Sequence, residues 1–237
     1  MIELPIFNSE ETYQINPGKI IALGKNYADH IKESSKINVT GFNEEIPTEP
    51  ILFSKTSNVL IGPGESIILP KILKEYDFKK RVDYEAELAF IIKDECKYLN
   101  ESEAYDHILG FTCMNDVSER NIQSGDKSGW FRGKSFDTFG PIGPQVVLMK
   151  DIGDPQNLNI TCRLNGKTVQ NSNSSNMIFS IAQTVAFISK NFTLNPGDII
   201  LTGTPSGVGP LKHGDTVEVE IEKIGVLKNS VIDESLL

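Results

Sequence analysis

Alternation of apolar and polar positions sets the character of this chain. Residues 158–164, LNITCRL, put Leu158, Ile160, Cys162 and Leu164 on one face, the period of a half-buried strand. The run stops at Asn165-Gly166 and resumes over residues 168–170. An Asn-Gly pair between two such runs predicts a hairpin. Residues 216–221 alternate in the same way and read as the final strand. Short apolar runs at 19–23, 51–54, 110–114, 146–149 and in DIILTGTP (198–205) predict further strands, and a Pro-Gly turn in IGPGESIILP (61–70) leads into another. The first 18 residues read as a short strand and a turn closing at Asn16-Pro17-Gly18.

Helical spacing is confined to NYADHIKE (26–33), a turn at 101–107 and residues 177–190, where Ile178, Ile181, Val185 and Ile188 form one stripe. SFDTFGPIGP (135–144), punctuated by Gly and Pro, reads as a loop. Many short strands, few helices and frequent turns predict a mostly β (α+β) fold. No repeat or linker divides the chain, so one domain is expected over residues 1–237. Its first 50 residues carry a helix and a long polar loop (34–50) that reads as a lid.

One alternating run differs in kind. In RVDYEAELAFII (81–92), Val82, Tyr84, Ala86 and Leu88 alternate with Asp83, Glu85 and Glu87. Residues two apart on a strand share a face, at roughly 6.6–7 Å along the chain. Glu85 and Glu87 therefore project together, and a core cannot hold them bare. Either this is the acidic side of an edge strand, which the base rate of exposed charge favours for the segment alone, or a cation sits there. Oxygen-only ligands suit Mg²⁺, Mn²⁺ or Ca²⁺.

Other residues pose similar choices. His30 and Glu33 share a helix face, as many surface pairs do. A histidine oriented by a carboxylate is also a general base near neutral pH. Arg120 and Gln123 follow Asp116 by four and seven residues, which puts all three on one side if the segment is helical. A guanidinium there serves a substrate carboxylate or a structural acid equally well. Lys134, between Trp130 and Phe136, is a surface lysine or a cation for a developing anion. Thr204, in TGTP, can donate a hydroxyl hydrogen bond beside a glycine that permits close approach.

Composition narrows the field. The 237 residues carry a net charge of −9, which argues against a nucleic-acid binder. The three cysteines have no metal-like spacing and fit free thiols in a reducing compartment. The N-terminus has no apolar signal core, and no stretch approaches the roughly 18 apolar residues of a membrane span, so a cytoplasmic protein without membrane contact is expected.

Taken together, these segments resemble the fumarylacetoacetate hydrolase superfamily, and in particular its short single-domain members: acylpyruvate hydrolases, oxaloacetate decarboxylases and tautomerases. The likeness runs through GKNYADHIKE, DYEAELAFII, residues 116–123, GKSFDTFGPIGP, SNMIFSIAQ and PGDIILTGTPSGVG, in the family's order, over most of residues 19–212. It implies a mixed β-sandwich roll, usually a homodimer. It implies that Glu85, Glu87 and Asp116 bind Mg²⁺, or Mn²⁺ or Ca²⁺ in its place. Three carboxylates leave three octahedral positions for water and a small-molecule 2-oxo acid. It also implies His30 and Glu33 as a catalytic pair, Lys134 beside the substrate, Arg120 and Gln123 around the substrate carboxylate, and Thr204 in an active-site loop.

The implied reaction is hydrolysis of a C–C bond in an acylpyruvate-type (2,4-diketo acid) substrate through a metal-stabilised pyruvate enolate. Oxaloacetate decarboxylation or tautomerisation, and 2-hydroxyhepta-2,4-diene-1,7-dioate-type isomerisation, would use the same site. His107 and His213 match no family position and read as ordinary surface or structural residues. Asp83 shares the parity of the glutamates without a family role. Lys25 stands where the family usually has Arg, which exchanges a bidentate fork for a point charge.

Overall fold

In the computed structural model, residues 2–34, 45–78, 80–125 and 130–237 are described. The site rests on a seven-stranded mixed sheet. Across it run Ile51–Lys55, Ile20–Gly24, Ile199–Leu201, Ala86–Ile92, Ile108–Asn115, Gly140–Leu148 and Leu60–Ile61. Ile20–Gly24 pairs in parallel with Ile199–Leu201, and Gly140–Leu148 with Leu60–Ile61; the other neighbours are antiparallel. A second sheet orders Lys167–Asn173, Asn159–Leu164, Thr216–Ile221, Gly225–Asp233 and Ser66–Leu69. The two pack face to face, with Asn159–Leu164 and Thr216–Ile221 against Ala86–Ile92. The mixed β-sandwich expected from the sequence is therefore the fold.

Burial explains the patterns. Thr216–Ile221 buries every second residue, as a strand covered on one face must. Ala86–Ile92 is buried at all its positions, so the alternation fades into AELAFII. The Asn165-Gly166 hairpin forms as expected. The longest helix, Ile181–Asn191, opens with a capping box: Ser180 Oγ accepts from Gln183 N at 3.1 Å, and Gln183 Oε1 accepts from Ser180 N at 3.0 Å. Ile181, Val185 and Ile188 are buried on one stripe, whereas Ile178 precedes the cap and gives its N–H to Asn26 O.

Four expectations are corrected. The acidic strand is two strands, Val82–Tyr84 in a small sheet with Ser118–Glu119 and Gly209–Pro210, and Ala86–Ile92 in the large one. The break falls at Glu85 because side chains replace the ladder there: Asn115 Oδ1 takes the Glu85 N–H and Gln170 Oε1 takes that of Ala86. The GPIGP segment is strand rather than loop, and a register shift between Gly143 and Val147 takes up Pro144, which has no N–H to give. Residues 216–221 are not the last strand. Gly225–Asp233 follows, unrecognised because Asn229 points inward, where its amide donates to Gly62 O and Glu65 O at 2.9 Å. Asp116 is not helical, since the helix begins at Arg120. The lid reading of residues 34–50 falls largely on 35–44, outside the described residues.

The core centres on Phe90 and Phe111, both fully buried, with ring centroids 6.2 Å apart. Phe111→Ala is expected to cost about 3–5 kcal/mol, read as a lower urea midpoint at unchanged slope.

Candidate active site

Strand pairing assembles the acidic centre. Ala86 lies opposite Asn115 and Glu87 opposite Met114, which places Asp116 beside Glu85; Asp116 N donates to Glu85 O at 2.9 Å. Glu85, Glu87 and Asp116 are all buried, and one oxygen from each lies within 4.8 Å of the others. Glu87 Oε2 accepts from Gly203 N at 2.7 Å.

Three cations are packed into the same space. Lys134 Nζ bridges Glu85 Oε2 at 2.5 Å and Asp116 Oδ2 at 2.7 Å. Lys55 Nζ stands 2.6 Å from Asp116 Oδ1. Arg120 pairs with Glu85 and, through Nε, with Asp83 Oδ2 at 2.9 Å. Burial opposes ionisation of Glu85, but Arg120 and Lys134 outweigh it and hold its carboxyl well below the usual range. Burial pushes the Glu87 carboxyl well up, and repulsion from Asp116 and Glu85 adds to this. Burial works against the Lys134 ammonium, yet Asp116 and Glu85 raise its pKa, so it stays charged.

This donor set fits a divalent cation. It is all oxygen and buried, and its repulsion is least relieved at Glu87. Glu85, Glu87 and Asp116 are the residues that would hold the ion.

The helix Ala28–Ser34 brings the expected pair. His30 is buried, with Nδ1 3.5 Å from Glu33 Oε2 and Nε2 3.4 Å from Ser34 Oγ. Glu33 Oε2 accepts from Gly207 N at 2.9 Å. Partial burial opposes the Glu33 charge, but His30 and the N–H groups of Gly207 and Val208 prevail and lower its pKa. Asn26 anchors the start of this helix, donating to Thr202 O at 2.8 Å and accepting from Phe179 N at 2.7 Å.

One cavity is lined by His30, Glu85, Glu87, Arg120, Gln123, Lys134 and Thr204, together with Lys25 and Trp130. Of the remaining residues expected from the sequence, Asp116 bonds to Lys134 and Glu33 stands behind His30. Arg120 is committed to Asp83 and Glu85, so the structural pairing is the one present, and Gln123 Oε1 accepts from Arg120 Nη1 at 3.2 Å. The Thr204 hydroxyl donates to Ala86 O at 3.0 Å and accepts from Gln170 Nε2 at 2.9 Å, which ties its loop to the acidic strand. His107 pairs with Asp94, and His213 Nδ1 accepts from Asp233 N at 3.3 Å, both away from the cavity, as expected. Lys25 sits at φ 57° and is nearly buried; burial lowers its pKa, with Glu45 acting against this.

Sequence reasoning missed Lys55, Asn26, Asn115 and Gln170. The parity of Lys55 with the buried Phe53 carried a signal, because a lysine on the inward side of an apolar strand needs a partner. The other three amides carried none.

Residues 19–232 match the family model described as fumarylacetoacetate (FAA) hydrolase C-terminal, and the chain belongs to this family. Its relatives with named activities are enzymes of several kinds. The Bos taurus protein oxaloacetate tautomerase FAHD2A, mitochondrial, is 42% identical over 97% of this chain and 73% of its own length. The structure of 2-hydroxyhepta-2,4-diene-1,7-dioate isomerase from Mycobacterium marinum superposes with a TM-score of 0.79 at 36% identity, covering 95% of this chain and 82% of that one. Fumarylpyruvate hydrolase from Pseudomonas aeruginosa, in complex with Mn²⁺ and pyruvate, superposes with a TM-score of 0.85 at 28% identity, covering 98% and 96%. The donor set and this last neighbour both point to a divalent cation. Among the described residues, no helix is long and apolar enough to cross a membrane, and all three cysteines are free and buried.

Glu87→Gln is expected to leave the metal-free protein as stable as the wild type or more so. The amide ends the repulsion, and its oxygen still accepts from Gly203. Glu85→Gln leaves Arg120 and Lys134 short of a counter-charge and is expected to cost about 3–5 kcal/mol. Thermal melts with and without Mg²⁺ decide: Glu87→Gln should lose the Mg²⁺-dependent rise alone, and a melt well below wild type without Mg²⁺ would refute the charge assignment.

Proposed function

We propose that the chain is a divalent-metal-dependent hydrolase that cleaves a C–C bond in an acylpyruvate-type 2,4-diketo acid. The observation that carries this reading is the buried His30, backed by Glu33 and lining the same cavity as Glu85 and Glu87. When bound, a divalent ion, with Mg²⁺ as the first choice and Mn²⁺ as the alternative, supplies Lewis acidity to the 2-oxo-carboxylate end of the substrate.

The protein's own groups do the rest. His30 takes a proton from the water that attacks the distal carbonyl. Glu33, kept anionic by His30 and two backbone N–H groups, orients the ring from the Nδ1 side and stabilises the imidazolium. The same imidazolium then returns its proton to the departing carbon. Lys134, held as an ammonium by Asp116 and Glu85, stabilises the negative charge that develops on the pyruvate fragment in this reading.

A second reading, oxaloacetate tautomerisation, is favoured by the 42% identity to the bovine tautomerase. It needs a proton removed from and returned to one carbon, which His30 can also perform, and no attacking water.

Acetylpyruvate, fumarylpyruvate and oxaloacetate, assayed side by side with Mg²⁺ and with Mn²⁺, separate the two. Hydrolysis of an acylpyruvate is expected, and His30→Ala should lower it by about 10²–10⁴-fold while keeping the Mg²⁺-induced rise in melting temperature. Wild-type hydrolysis by His30→Ala would sink the mechanism. Tautomerisation without any C–C cleavage would establish the second reading.

A further inference from the structure

Lys55 ends the edge strand Ile51–Lys55, and its side chain has no exposure. Its Nζ lies 2.6 Å from Asp116 Oδ1, donates to Lys134 O and reaches Val117 O at 3.4 Å. Two of its N–H groups go to main-chain carbonyls, and Asp116 Oδ1 is its ion-pair partner. Asp116 is thus clamped from both sides, by Lys55 at Oδ1 and by Lys134 at Oδ2. Lys55 also holds the backbone of the very residue that grips the other oxygen.

The balance of charge gives this clamp a consequence. With Glu87 ionised, as a bound cation would hold it, Asp83, Glu85, Glu87 and Asp116 bring four negative charges, and Lys55, Arg81, Arg120 and Lys134 bring four positive ones. A centre built only for tight metal binding would not set an ammonium on one of its ligands, because that charge repels the ion. A divalent ion added to this balanced set leaves an excess of two positive charges. That excess is matched by a dianion, and a 2-oxo acid in its enolate form is one.

We propose that Lys55 is a positioning residue that fixes Asp116 and, through its charge, gives up metal affinity in exchange for affinity towards a dianionic 2-oxo acid enolate. This rests on the metal-centre reading above. It predicts opposite movements in two affinities, which a purely structural bolt would not produce.

The test uses metal-free wild type, Lys55→Met and Lys55→Arg, each checked for folding by circular dichroism. Calorimetry measures Mn²⁺ binding, then binding of oxalate, a small planar dianion, to the Mn²⁺-saturated protein. Lys55→Met should bind Mn²⁺ about tenfold more tightly and oxalate about tenfold more weakly, as expected for loss of one buried charge near each. Lys55→Arg keeps the charge and should hold both affinities within about threefold. Lys55→Met that folds only with Mn²⁺ present is the same result in its extreme form. Lys55→Met that stays unfolded at saturating Mn²⁺ overturns the proposal. So does any pair of affinities that fails to move in opposite directions, or Lys55→Arg behaving like Lys55→Met. Absence of Mn²⁺ binding by the wild type would instead refute the metal-centre reading, and this proposal with it.

Discussion

Charge compensation in a dry interior is the constraint on which this structure depends. Glu85, Glu87 and Asp116 are buried, where an unpaired carboxylate is costly. The fold meets that cost by sending Lys55, Lys134 and Arg120 to the same point from three separate segments. The compensation is uneven by design of the geometry. Glu85 is gripped by two cations, Asp116 by two lysines, and Glu87 bonds to the Gly203 N–H. The unevenness leaves one carboxylate for which a metal ion is the natural partner.

The site opens where the backbone ladder gives way to side chains. Asn115 and Gln170 take N–H groups that a continuous strand would have used, and Asn26 and Thr204 tie the neighbouring loops to carbonyls. The Asn115 and Gln170 side chains take the N–H groups of Glu85 and Ala86, and so hold the break at Glu85 in one geometry. The sheet therefore delivers its carboxylates at a fixed end rather than along its length.

The helix carrying His30 is coupled to this end through Glu33. Its carboxylate accepts from Gly207 N, so the chemistry-bearing histidine is fixed to the loop after Ile199–Leu201. Gly207 is required there: its φ is 104°, and a Cβ would sit 2.0 Å from Val169 O. One loop thus positions Glu87 through Gly203 and His30 through Gly207.

Much of this was legible in the chain. The strand period, the Asn-Gly hairpin, the shared face of Glu85 and Glu87 and the one-turn spacing of His30 and Glu33 are local geometry, which local sequence encodes. Family resemblance then joined Asp116 and Lys134 to them. What local period cannot encode is which distant groups meet. The break at Glu85 depends on Asn115 and Gln170, residues from other strands. The inward Asn229 hid a strand because its partners, Gly62 and Glu65, come from far along the chain. Arg120 could have faced a substrate or an acid, and Lys55 gave only its parity. The sequence by itself determined the elements and the kinds of chemistry they can carry. Only the tertiary structure decided how the charges pair, because pairing is set by distance in space between segments that are far apart in the chain.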